Sequence, residues 1–136
     1  MKSELGGWES FLEEGMRYHK TAQRSVRRPE VFTPAIIQNI AAMSIEKYFM
    51  AIFLHRGQLP RNHTMTDLLE EARDFLTIRP DLEATLRYMD SLQRICSVDD
   101  IQVTAPKAED VPRFIEATTL VSELAGKELG RDVSRF

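Results

Sequence analysis

One cysteine, Cys96, stands among 136 residues, so no disulfide can form within the chain and a four-cysteine zinc site is excluded. A lone thiol fits a reducing compartment. Glycine and proline number six each, and no low-complexity segment or internal repeat is present. There is no glycine-rich phosphate loop and no nucleophile elbow. His19, His55 and His63 are scattered, and Glu13-Glu14 and Glu70-Glu71 lack the Glu-x-x-His arrangement of di-iron bundles. Neither a metal nor a cofactor is expected. The longest apolar stretch, Ile36 to Leu54, is interrupted by Gln38, Asn39, Ser44, Glu46 and Lys47, which suits a buried bundle helix and not a membrane span. The opening Met-Lys-Ser-Glu-Leu-Gly-Gly-Trp has no signal-peptide core, so a soluble cytoplasmic protein is expected. A net charge of −3 argues against generic binding to duplex DNA.

What is present is helical periodicity. The 43% apolar share is that of an ordinary globular chain, and the length fits one domain, expected over residues 1–130 with a loose tail from Arg131 to Phe136. A first helix is expected from Trp8 to Val26, with Leu12, Gly15, Tyr18 and Ala22 on its inward stripe, ended by Pro29. Thr33 as N-cap and Pro34 at the first helical position open a second, which Gly57 closes. A third starts between His63 and Thr66 and a fourth follows Arg79-Pro80-Asp81, reaching Cys96. Between Ser97 and Lys107 the pattern is lost, leaving room for a short extended piece. A fifth runs from about Glu109 to Leu129 and ends at Gly130. Short connections between such helices favour antiparallel neighbours, so the fold is expected to be an all-α up-and-down bundle of about five helices.

Two features stand out against that background. From Arg17 to Arg28 there are five basic residues and no acidic one, whereas Ser97 to Glu128 carries seven acidic against three basic. Such an asymmetry can steer a partner or pair two copies of the chain. Arg17, Lys20, Arg24 and Arg27/Arg28 recur at 3-4 spacing, and guanidinium groups can clamp phosphate bidentately, so a nucleotide or RNA phosphate is one target. The plainer reading is a solvated face whose cations complement the helix C-terminus. The second feature is that the second helix is apolar on more than one side, since Met43, Phe49, Met50, Phe53 and Leu54 supplement its inward stripe. Such a helix is either central to the bundle or shared with another subunit, so a homodimer is expected.

The order Glu46-Lys47, Ala51, Gly57, Pro60, His63, Leu68-Leu69 resembles the signature of HEPN domains, in which a Glu-Lys pair inside an alanine-rich helix precedes Gly, Pro and a His-led helix start. The resemblance covers Ile37 to Ala72. It implies a helical bundle that binds a nucleotide or a protein partner, acting with a separately encoded nucleotidyltransferase-like protein as in toxin–antitoxin pairs, and it also points to dimers. The functional reading of Glu46 and Lys47 is a polar pocket for a nucleotide or a partner's side chain, so the candidate binding residues are these two and, on the basic stripe, Arg24, Arg27 and Arg28. The plainer reading of Glu46-Lys47 is an interhelical salt bridge to an arginine such as Arg87 or Arg94. Ribonuclease members pair an arginine with a histidine across four to six intervening residues, one stabilising phosphoryl charge and the other moving a proton. Arg56 and His63 meet that spacing, with six residues between them. The family's pair lies later in the chain, and here no histidine follows Arg94. The expectation is therefore a non-catalytic module, with His63 as a hydrogen-bonder at a helix start; RNA cleavage by Arg56 and His63, and a dimeric scaffold without a ligand, are the alternatives. The Arg-Tyr-Pro element of many HEPN proteins is missing after the fourth helix.

Overall fold

Thr33 caps a helix as its sequence predicts: its hydroxyl accepts the Ile36 N–H at 3.3 Å, and Pro34 occupies the first turn. The computed structural model describes residues 7–93 and 105–133. In it the helices are α1 (Trp8–Ser25), α2 (Pro34–His55), α3 (Met65–Ala72), α4 (Pro80–Gln93) and α5 (Val111–Leu129), with a 3-10 turn at Ala108–Asp110 before α5. No strand occurs among the described residues. The expected extended piece falls partly outside them, as do Arg94 and Cys96. Gly57 and Gly130 take positive φ (78° and 64°) just past α2 and α5, where a side chain would be strained.

The contacts fix the helix directions. α1 runs antiparallel to α2, since Trp8 meets His55 and Gly15 meets Tyr48. It is antiparallel to α5 as well, with Arg131 over Trp8 and His19 bonded to Thr119. α4 is antiparallel to α5, Tyr88 reaching Asp110 and Thr85 reaching Arg113. α3 lies along α4, tied by Thr66 to Asp90 and by Arg87 to Glu70. The result is an up-down-up-down bundle of α1, α2, α4 and α5, with short α3 beside α4.

α2 sits at the centre. Ile45, Tyr48, Phe49, Ile52 and Phe53 are at most 1% exposed, so one helix buries side chains on all sides. Each such aliphatic or aromatic side chain contributes roughly 1.5–3 kcal/mol by leaving water. Of the two expectations for an all-round apolar helix, the central position accounts for Phe49, Met50, Phe53 and Leu54; Ile36 and Met43 remain exposed. Gly15 lets α1 approach: a Cβ there would lie 3.0–3.2 Å from the Tyr48 ring, and its carbonyl accepts the Ser44 hydroxyl at 2.7 Å.

Four local expectations need correction. α3 opens at Met65, inside the expected span, but Thr64 and not His63 is its hydrogen-bonding cap: the Thr64 hydroxyl accepts the Asp67 N–H at 3.1 Å and donates to the Asp67 carboxylate at 2.7 Å. The apolar spacing of Leu68, Leu69, Ala72, Phe75 and Leu76 predicts a third helix that reaches Leu76, but α3 ends at Ala72. On α1 the inward position is His19, while Tyr18 is half-buried. The chain after Gly130 is not loose at its start, because the left-handed turn sends Val133 back onto Gly126, where it is buried.

Candidate functional site

The basic residues of α1 converge as their 3-4 spacing predicts. Lys20, Gln23, Arg24 and Arg27 line one hollow of about 250 Å³ on the outer face of the helix. Lys20, Arg24 and Arg27 form no ion pair among the described residues. Arg28 is turned towards Glu30, 3.9 Å away, with both side chains well exposed. Three cations near the end of one helix lie where its C-terminal dipole favours positive charge, which lowers the cost of gathering them. An unpaired guanidinium fork of this kind has donors to offer to phosphate or carboxylate oxygens.

Gln23 joins this surface to the interior. Its amide lies 3.4 Å from Nε2 of His19, which also lies 3.2 Å from the Thr119 hydroxyl, while Nδ1 lies 3.2 Å from the Tyr48 hydroxyl. Since the amide donates to Nε2, the neutral ring carries its proton on Nδ1. His19 is 1% exposed, and burial pushes its pKa down from 6.5 to about 4. Burial also raises the Tyr48 phenol above its ordinary value. A neutral imidazole enclosed by α1, α2 and α5 acts as a structural clasp and has no open path for proton exchange with a bound substrate. The signal in the sequence was its place on the inward stripe, between Gly15 and Ala22.

The Glu46-Lys47 pair is split. Lys47 Nζ lies 3.1 Å from the Glu14 carboxylate and 5.2 Å from the centre of the Phe11 ring, so an interhelical bridge exists, but to an acid on α1. Arg87, the partner expected for this pair, is instead engaged with Glu70 and Glu83 across α3 and α4. Glu46 is half-buried and has no ion pair among the described residues. The structure thus joins Lys47 to Glu14 and leaves it out of the hollow that holds Arg24 and Arg27.

Arg56 and His63 occupy the exposed loop between α2 and α3. The Arg56 guanidinium stacks 3.8 Å from the centre of the Phe75 ring and donates to the Gln58 side-chain carbonyl at 3.0 Å. His63 is exposed, and no side-chain bond ties it to Arg56.

No family model matches the chain, and no curated protein matches it. Among solved structures, the crystal structure of TT1696 from Thermus thermophilus superimposes with a TM-score of 0.69. The match covers 89% of this chain and 97% of that one, at 17% identity. The likeness is one of fold. It establishes the helical bundle as a recurring arrangement, and at that identity it assigns no residue a role. No helix among the described residues is long and apolar enough to cross a membrane. The chemistry on offer therefore rests with the side chains of this chain: a cationic hollow on α1, a buried histidine clasp behind it, and an arginine–phenylalanine stack at the far end of α2.

Proposed function

We propose that this chain is a non-catalytic HEPN-like module that binds a phosphate-bearing ligand, a nucleotide or an RNA strand, on the basic face of α1. The observation that carries this reading is the hollow of Lys20, Gln23, Arg24 and Arg27, whose three cations have no ion-pair partner among the described residues. Arg28 is turned towards Glu30, and Lys47 stands apart from the site, engaged with Glu14. A protein partner presenting carboxylates would meet the same donors. A nucleotidyltransferase-like protein, as the HEPN resemblance implies, is the partner class we propose, with the chain itself in the cytoplasm as a homodimer when no ligand is bound. Against RNA cleavage by Arg56 and His63 stands the engagement of Arg56 with Phe75 and Gln58.

The test uses ATP and a labelled single-stranded RNA as probes. ATP should raise the melting temperature of the intact protein, and RNA binding should weaken with salt as counterions are released. Arg24→Glu with Arg27→Glu should abolish both effects, while Lys47→Gln leaves them in place. An intact protein that binds neither probe at low salt would refute the reading.

A further inference from the structure

The outer face of α1 carries charge of both signs, segregated along its length. Glu9 and Glu13 lie in the first half, Lys20 and Arg24 in the second, each pair four residues apart. At roughly 100° per residue these four positions fall within a sector of about 60°, so they form one stripe. None of the four is ion-paired among the described residues, although Glu70, Glu83, Arg73 and Arg87 on α3 and α4 are paired with one another. Each half also borders its own hollow. The first, of about 240 Å³, is lined by Glu9, Leu12, Glu13 and Met16 with Arg131 and Asp132. Arg131 is itself drawn over the Trp8 ring, 5.0 Å from its centre. The second is the cationic hollow on the same helix, of about 250 Å³.

We infer that two copies of the chain pair through antiparallel α1 helices, the acids of each entering the cationic hollow of the other. Reversing one helix about a two-fold axis between positions 16 and 17 sets Glu9 against Arg24 and Glu13 against Lys20 of the second copy, and the symmetry repeats both pairs. The equal four-residue spacing of acids and bases is what lets both pairs form in one register. A parallel pairing in the same register would instead set like charges together. Half-buried Met16 and exposed Arg17 flank the axis, so each Met16 meets the aliphatic stem of Arg17 on the second copy while that guanidinium stays in water. Such an interface is isologous, dominated by charge, and weakened by salt. It uses α1 in place of the apolar faces of α2, most of which the bundle's own core consumes. Resting on the phosphate-binding reading proposed above, a second consequence follows: the partner's carboxylates fill the site a phosphate would take, so self-pairing and ligand binding exclude each other.

Sedimentation of the full chain tests this. A dimer is expected at low salt and a monomer at high salt. Glu9→Lys with Glu13→Lys, and separately Lys20→Glu with Arg24→Glu, should each give a monomer at low salt. Mixing these two double variants should give a heterodimer, and all four changes in one chain should restore the homodimer. Loss of folding cannot mimic either rescue. An intact protein that stays monomeric at low salt, or a fourfold variant that stays monomeric, overturns the pairing. ATP added to the intact dimer should release monomer, and a dimer that binds ATP without dissociating overturns the exclusion. If the swap restores pairing but ATP binds no form of the protein, the phosphate reading falls while pairing stands. If ATP binds and no dimer forms, the reverse holds.

Discussion

Acidification should weaken this fold through a single side chain. His19 is enclosed by α1, α2 and α5, with its pKa lowered from 6.5 to about 4. The unfolded chain takes up a proton near its ordinary pKa, while the folded one resists until a much lower pH. Stability is thus fully present above about 6.5, falls as the pH drops through the interval, and levels off below about 4. The full difference corresponds to about 3 kcal/mol, of which about 2 kcal/mol is lost between roughly pH 7 and pH 5. That is a large share of the net stability of about 5–15 kcal/mol usual for a domain. Urea denaturation at both pH values measures it, with His19→Gln as the reference. Glutamine keeps a donor and an acceptor but does not titrate, and every other titrating group is common to both proteins. The intact protein should lose about 2 kcal/mol more than the variant over this interval. Equal losses in the two proteins would refute the argument, as would a folded-state imidazole that titrates at its unperturbed pKa by NMR.

Three further substitutions probe the packing. Gly15→Val pushes a branched side chain into the Tyr48 ring, where even a Cβ lies at 3.0 Å, and should cost about 2–3 kcal/mol by thermal or chemical denaturation. Thr64→Ala removes the cap of α3 and should cost about 1 kcal/mol, with the loss appearing as faster amide exchange in the first turn of that helix. Lys47→Gln breaks a partly exposed bridge to Glu14 and should cost no more than about 1 kcal/mol, an effect that shrinks in high salt.

The parts of the fold that were legible in the sequence are those set by local chemistry. Thr33-Pro34, Gly57 and Gly130 mark helix ends because capping and positive φ depend only on neighbouring residues. The basic stripe of α1 was legible for the same reason, since 3-4 spacing fixes which side chains share a face. The clasp was not, because Tyr48 and Thr119 reach His19 from 29 and 100 residues away and no local pattern pairs them. The bridge at Glu46-Lys47 was misread for a related reason: an arginine was expected as its partner, but it is Lys47 that bridges, to Glu14 of α1, and packing alone makes that choice. Phe49 and Phe53 were ambiguous because an apolar helix carries no mark of whether its cover comes from its own chain or from another. His63 was read as the hydrogen-bonder at the start of α3, but the next residue, Thr64, takes that place because its hydroxyl reaches both the Asp67 N–H and the Asp67 carboxylate.

The central place of α2 has a consequence for synthesis. α5, which packs along it, is the last of the five helices to leave the ribosome, so a nascent chain carries the most apolar helix before its cover exists. α1 comes first and can shield one side at once, leaving the side that takes Phe114 and Val121 open until translation passes Leu129. A chain stopped just before Val111 should pellet on expression while the full chain stays in the supernatant. Recovery of the truncated chain as a soluble monomer would show that α1, α3 and α4 cover α2 by themselves.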